Sequence, residues 1–400
     1  MNFIQKTIKS LTDDNQPDYM LFYLSSILII ISILFSYSLS IYTVIYWEYE
    51  PFHFFYRQLF TGVLAILIMW TLAQIKPDIL IPKVGWFLFA FFLFLIAIMQ
   101  FLPSSLVTES GGAKRWIRLP GISLSPVEFF KIGFIYYLAW SFQRKLTNIS
   151  KLPFKDEVKL LFPYAILFGF IVFMIAVLQK DLGQVVLLAT VLFIMLIFAN
   201  RSWKIFASLF AIAIAGLFAL ILVFPHRITR IKSWWSMVQD SVLSIMPESI
   251  STALRIKEFP EPYQVGHSLN AINNGGITGV GLGNGSLKLG FLSEVHTDFV
   301  LAGITEEIGF LGFFAITIIL FAILFRIFRT SRRIIDTKYH LFTIGIGLMI
   351  SIAFLINSYG ISGMIPIKGI AVPFLSYGGS SLLSVAVAVG LVLSISRNIK

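Results

Sequence analysis

The sequence predicts an all-α fold: a polytopic membrane helix bundle with about ten transmembrane helices and a long extracytoplasmic loop between helices 7 and 8. Three observations point there. Hydrophobic residues make up 57% of the 400 residues and charged ones only 13%, half the charged share of a soluble domain. Mean hydropathy is +0.86. The apolar residues fall into runs of about 20, the length that crosses a bilayer, and 40 of them are Phe.

Taken in order, the runs are 19–43, 57–75, 84–102, 126–142, 160–178, 182–199, 204–224, 299–325, 341–361 and 380–396. A polar stretch with Lys6 and Lys9 precedes the first run, which is too long for a signal-peptide core and lacks an A-x-A site, so it reads as an uncleaved span. The fifth and sixth runs are separated only by Gln179, Lys180 and Asp181, which predicts a tight hairpin. With the N- and C-termini inside, 18 Lys and Arg fall in inner segments and 12 in outer ones, the sense of the positive-inside rule. Most outer positives sit in two loops, 103–125 and 225–298, as expected of segments that bind an anion. The net charge of +11 is therefore read as inner loops and anionic lipid, with no nucleic-acid partner. Cysteine is absent, which excludes disulfides, thiol nucleophiles and thiolate metal sites. The whole chain, 1–400, reads as a single membrane domain.

The chemistry-bearing residues gather at the outer ends of the runs. In 103–125, Lys114 and Arg115 are suited to phosphate and Trp116 to the interface; a plain aromatic belt with flanking positives is the competing reading. Ser125-Pro126-Val127-Glu128 has the form of a capping box. Glu128 and Lys131, three apart on one helix face, form an ion pair near the membrane edge, where desolvation is costly and function is the default expectation. In 225–298, Pro225 to Trp235 reads as a basic interfacial helix. Gln264, His267, Asn270 and Asn274 recur at helical spacing, and six glycines follow from Gly275 to Gly285. These glycines suit either a phosphate cradle or, preferably, a re-entrant loop needing positive φ. Glu294, His296 and Asp298 then precede a span that carries Glu306 and Glu307. Asp298 is placed either to cap that span or to act as a base at a shielded membrane surface. The Pro-, Gly- and Ser-rich tail from Gly363 to Ser381 is tolerable at membrane depth only against a cavity, and its Lys368 is placed to pair with Asp298 or a phosphate.

Four separated motifs, in order, resemble the SEDS family of cell-shape, division and sporulation proteins. They are Gly112 to Ile117 with Pro126 to Lys131; Gln179-Lys180-Asp181-Leu182-Gly183; Glu294 to Phe299 with Glu306, Glu307 and Gly309; and Pro366 to Ser381. Leu282-Gly283-Asn284 with Lys288, and Lys368 before Gly369, are similar to the FtsW branch more than to RodA. Ser125, Val127, Ser293 and Gln184 depart from the family pattern without removing a charge. The resemblance implies an inverting peptidoglycan glycosyltransferase. Such an enzyme polymerises lipid II, the undecaprenyl-pyrophosphate-linked disaccharide pentapeptide, on the outer face of the bacterial cytoplasmic membrane, at the division septum in the FtsW case. It implies a class B penicillin-binding protein transpeptidase as partner, together with other division or elongation proteins. It implies Asp298 as the base, with Arg115, Lys131 and Lys368 neutralising pyrophosphate. Trp116 then shapes the cavity, Glu128 orients Lys131, and His296 or Glu306 tunes Asp298. The residues call for no cofactor; a divalent cation, magnesium or manganese, is left open. The residues alone leave a lipid II flippase, a small-anion transporter and a non-catalytic scaffold for a transpeptidase as alternatives.

Overall fold

The computed structural model describes residues 16–110, 113–119, 122–146, 153–199, 203–223, 225–256, 262–292, 294–366 and 369–398. Each of the ten expected apolar runs is helical. The helices are α1 (Tyr19–Leu39), the short α2 (Ile41–Tyr46), α3 (His53–Ala73), α4 (Pro77–Ile98), α5 (Pro126–Lys145), α6 (Phe154–Val172, ending in a π-turn at Phe173–Leu178), α7 (Leu182–Phe198) and α8 (Trp203–Leu222). After them come α9 (Pro225–Leu243), α10 (Glu248–Leu254), α11 (Tyr263–Gly275), α12 (Val300–Arg333), α13 (Thr337–Ile361) and α14 (Gly379–Ser396). Among the described residues seven helices are long and apolar enough to cross a membrane, or eight if the bent pair α8–α9 is one span. The expected fourth span, α5, falls short on composition because it carries Glu128 and Lys131, and it lies at the bundle centre where lipid does not reach it. α13 and α14 are likewise buried along most of their length, whereas α3, α6 and α12 turn apolar side chains outward.

The fold is the expected helical bundle, with one small addition at 103–125. Three short antiparallel strands stand there, β1 (Val107–Ser110), β2 (Ala113–Leu119) and β3 (Ile122–Leu124), in the order β1-β2-β3. Val107 pairs with Ile117, and Ile117 with Leu124. Val107 and Ile117 bury against Met99 at the end of α4, which gives the sheet a small core of its own. Loop 225–298 carries the two helices expected in it and a third between them. It holds α9, which leaves α8 at a bend of 102°, as well as α10 and α11. The expected basic interfacial segment thus extends to Leu243.

The glycine segment explains how α12 is built. Gly309 has φ 70° and ψ −177° inside that helix, a conformation open essentially only to glycine. The break frees backbone groups that the bilayer will not satisfy. Residues 276–281 satisfy them: Val280 and Gly281 N–H donate to the Glu306 and Glu307 carbonyls at 3.0 and 2.9 Å, and Phe310 and Leu311 N–H donate to the Gly276 and Ile277 carbonyls at 2.9 and 3.1 Å. Positive φ at Gly276, Gly279, Gly281 and Gly283 lets the loop lie this close. The run is a re-entrant loop clasped to a broken helix, and the phosphate cradle is set aside because the amides of Val280 and Gly281 serve that clasp and those of Gly276 and Gly279 bond back to the end of α11.

Candidate active site

The turn 294–298 is held by the tail, carbonyl by carbonyl. Tyr377 N–H donates to the His296 carbonyl (2.9 Å). Ser376 Oγ donates to that of Thr297 (2.7 Å), and Asn357 Nδ2 to that of Asp298 (2.7 Å). Asn357 also reaches the Ile370 carbonyl at 2.9 Å, and Ser376 Oγ accepts from Val372 N–H at 2.8 Å. The Pro/Gly/Ser tail is therefore a wall whose polar atoms fix the backbone of Asp298. Gly369 lies so close that a Cβ there would sit 2.9 Å from Asp298 Oδ2.

Asp298 opens into a cavity of about 880 Å³ walled by β2 and β3, α3, the hairpin between α6 and α7, and the tail. Its carboxylate has no hydrogen bond or ion pair among the described residues. The helix-capping reading is corrected, since α12 begins at Val300 with Phe299 at its N-cap and no side-chain cap. Burial, then the charges of Glu294 and Asp181, raise the Asp298 carboxyl from 3.8 to about 6, and Arg115 opposes them. A carboxylate desolvated and set near like charges is a poised proton acceptor.

Across the cavity, Arg115 Nε and Nη2 donate to the carbonyls of Gln179 and Lys180, both at 2.9 Å, and Nη1 lies 3.9 Å from Asp181 Oδ2. These carbonyls end α6, so the guanidinium meets a helix C-terminus, where a cation is favoured. Lys180 at φ 52° turns the hairpin, and Asp181 caps α7 through Gln184 N–H at 3.3 Å. Burial raises the Asp181 carboxyl, with Arg115 pulling it back. Trp116 lines the same space. Lys114, expected beside Arg115 as a phosphate ligand, is instead spent on the Gln100 and Leu102 carbonyls at 3.1 and 2.8 Å.

Other expected site residues sit differently. Glu128 lines the cavity, but Ser125 makes no side-chain cap to α5; its N–H goes to Ser380 Oγ at 2.9 Å. Glu128 is bound by Lys131 Nζ and Gln184 Nε2, each at 2.9 Å. Lys131 is buried behind that carboxylate, pairs with it and does not itself line the cavity. His296 is buried edge-on to Phe54 and beside Tyr377, with centroids at 5.2 and 5.5 Å. Burial lowers its pKa, and the ring packs behind the wall and does not line the cavity. Glu306 is committed elsewhere: its Oε1 accepts from Asn274 Nδ2 and Ser286 N–H, both at 2.8 Å, and from Leu287 N–H at 3.1 Å. It anchors the glycine loop and does not tune Asp298. Lys368 lies outside the described residues.

Reasoning from the sequence missed Arg57 and Gln58, which line the cavity, and the buried pair of Lys288 Nζ and Glu307 Oε1 at 2.6 Å; Tyr377, also on the wall, belongs to the tail that was expected there. The one available signal was polarity within an apolar run, at Arg57 and Gln58. As for a divalent cation, Glu128 and Asp181 are already engaged, and among the described residues no three His, Asp or Glu side chains converge with metal-ligand spacing. These residues present no ready-made site for magnesium or manganese, and no step is assigned to one.

Comparison with known proteins decides the family. The profile described as "Cell cycle protein", covering FtsW, RodA and SpoVE, matches residues 18–400. The chain belongs to this FtsW/RodA/SpoVE family. It is 47% identical over 388 residues, 96% of this chain and 99% of the relative, to the probable peptidoglycan glycosyltransferase FtsW of Helicobacter pylori. Over 386 residues it is 30% identical to the stage V sporulation protein E of Bacillus subtilis, covering 96% and 98% of the two chains. A chain of a peptidoglycan synthase complex that coordinates polymerization and crosslinking has the same fold (TM-score 0.70, 22% identity, 96% and 98% covered). So does the rod shape determining protein RodA of Thermus thermophilus (TM-score 0.62, 21% identity, 96% and 97% covered). A family member of this kind, with its apolar helices, is a multi-pass membrane protein.

Proposed function

We propose that this chain is an inverting peptidoglycan glycosyltransferase that polymerises lipid II, with Asp298 as its base. The observation that carries the reading is the placement of one desolvated carboxylate, unpaired among the described residues, in a large cavity opposite a fixed guanidinium. The name borne by the Helicobacter relative, which aligns along nearly the full chain, supports the reaction class.

The 4-hydroxyl of the acceptor sugar attacks the anomeric carbon of the donor. The new C–O bond forms as the bond to pyrophosphate breaks, the bonding electron pair leaves with the phosphate oxygen, and the hydroxyl proton passes to Asp298. Arg115 and Arg57 are the arginines of the cavity wall, placed to favour the developing charge on the leaving group. Glu128, held by Lys131 and Gln184, keeps the floor rigid. Lys368, next in sequence to Gly369 and outside the described residues, is assigned to the same group only by the family resemblance. A substrate on a polyprenyl chain requires an active site open to the membrane, and the apolar helices α3 and α14 flank this cavity. The outward face, with both termini cytoplasmic, is supported by the Lys and Arg asymmetry of the loops. A class B penicillin-binding protein is the partner that such a polymerase requires for cross-linking, and the division septum is the site that FtsW likeness favours.

The test is polymerisation of purified lipid II by the purified chain, with and without a candidate transpeptidase. Polymer from the wild type and none from a folded Asp298→Asn variant supports the reading. Passage of lipid II across vesicle membranes by both, with no polymer from either, supports a flippase instead. Polymer made equally by both leaves Asp298 without the role of base.

A further inference from the structure

A second, smaller cleft lies at the other end of α12. It has a volume of about 430 Å³ and is lined by Phe325, Phe328, Arg329, Arg332 and Arg333. From Gly309 to Arg333 the helix rises about 36 Å at ~1.5 Å per residue, roughly the thickness of the hydrocarbon core. Asp298 and this cleft therefore face opposite sides of the membrane. Nothing assigned to the reaction reaches the cleft, so its role is independent of the proposed function.

Arg329, Arg332 and Arg333 stand at i, i+3 and i+4, all exposed, and share one flank of the helix. Like charges at that spacing repel, and among the described residues none of the three has a hydrogen bond or ion pair. The contrast with Arg326, one helical turn earlier, is informative: it meets Asp18 Oδ2 at 2.7 Å. The acid next in sequence, Asp336, does not neutralise the three. Its Oδ1 is occupied by Lys338 and Tyr339 N–H, at 2.8 and 3.3 Å, and by Gln143 Nε2 at 3.3 Å. Beneath the guanidiniums lie two rings. Phe325 is 63% exposed on the outer flank. Phe328 is wedged against Gly347 of α13, where a Cβ would sit 2.7 Å from its ring, so the cleft has a fixed floor between the two helices.

We propose that this cleft binds an anionic phospholipid of the leaflet opposite the cavity, its phosphodiester on Arg329, Arg332 and Arg333 and its acyl chain along Phe325 and Phe328. Three bidentate donors over an apolar shelf match a phosphate that carries a hydrocarbon tail. A free phosphate would use the arginines and leave the rings wet. Nucleic acid or an acidic peptide would not need Phe325 at hydrocarbon depth.

The experiment uses the full chain purified in neutral detergent. It is titrated separately with phosphatidylglycerol, phosphatidylcholine and inorganic phosphate, and retained lipid is counted by native mass spectrometry. The expected result is preferential retention of phosphatidylglycerol. Each Arg→Gln change should weaken it about fivefold and the triple variant R329Q/R332Q/R333Q about a hundredfold. A control, K155Q/K159Q, on the same membrane face and outside the cleft, should leave it unchanged. Phe325→Ser, which keeps every charge, should also weaken lipid but leave inorganic phosphate alone. If the triple variant does not fold, the single changes decide. Equal retention of phosphatidylglycerol and phosphatidylcholine overturns the proposal, as does equal retention by wild type and the arginine variants. Inorganic phosphate competing as strongly as the lipid would reduce the site to a general anion site.

Discussion

Asp298 titrates near 6 because burial and the charges of Glu294 and Asp181 disfavour its ionised form, and this has two measurable consequences. As a base it works only when deprotonated, so polymerisation should fall about tenfold per pH unit below 6 and level off above it. Asp298→Asn should lower the rate by about 10² to 10⁴, the usual share of a positioned base. For stability the sign is opposite to that of a salt-bridged Asp. Its folded pKa lies above the unfolded 3.8, so the native state holds the proton more tightly, and the wild type loses stability as pH rises from about 4 through 6. The melting temperature of Asp298→Asn relative to wild type should therefore climb across that window and be flat beyond it. Gly369→Ala tests the wall: a Cβ 2.9 Å from Oδ2 must displace the carboxylate, and activity should fall at least tenfold in a protein that still melts cooperatively. At this scale a charge in a greasy chain is conspicuous, so Asp298, Arg115 and Glu128 stood out, and with Trp116 they line one cavity. The sequence did not show that Lys131 lies behind Glu128, that His296 packs against Phe54, or that Glu306 holds the glycine loop. Residue type shows that a buried charge needs a partner, but the partners of Glu306 are backbone and side-chain groups of residues 274–287, which only folding brings to it.

Among the elements, the broken α12 and the loop that clasps it form one unit. A Cβ on Gly309 would lie 2.3 Å from Gly279 N, and one on Gly279 would lie 2.3 Å from the Glu307 carbonyl oxygen. Gly309→Ala adds a forbidden φ to that clash, about 1–3 kcal/mol for the backbone conformation alone, so thermal unfolding should show a loss of at least that size. Lys288 and Glu307 lie under the same loop, 1% and 0% exposed, and Ser38 Oγ of α1 donates to that same Glu307 oxygen. Removing one member strands the other charge. Lys288→Met should cost about 3–5 kcal/mol, and adding Glu307→Gln should recover most of it. The glycine run announced a loop of unusual backbone, but nothing in the sequence announced the break at Gly309. That each completes the other's hydrogen bonds was beyond any local pattern.

For the molecule as a whole, the absence of cysteine makes topology directly measurable. Ile335→Cys and Leu282→Cys, at positions 99% and 70% exposed, lie beyond opposite ends of the membrane-spanning part of α12. An impermeant thiol reagent applied to intact cells should label Leu282→Cys alone, and Ile335→Cys should react only after the membrane is opened. Labelling in the reverse order would place the cavity in the cytoplasm and rule out an outward polymerase.

The sequence by itself determined where the apolar helices run, the hairpin at 179–181, the gathering of chemistry at one end of the bundle and the family motifs. Each of these is set by composition and spacing within a few turns of chain, because lipid as solvent rewards unbroken apolar helices. Only the tertiary structure decided which polar residues share a wall. The sheet at 107–124 forms because Met99, 8 residues before its first strand, offers it a buried apolar face. Asp298 faces a cavity because Asn357, Gly369, Ser376 and Tyr377, between 59 and 79 residues further along, hold its turn in place. Those are contacts between distant segments, and their energy depends on packing geometry that no local run of residues encodes.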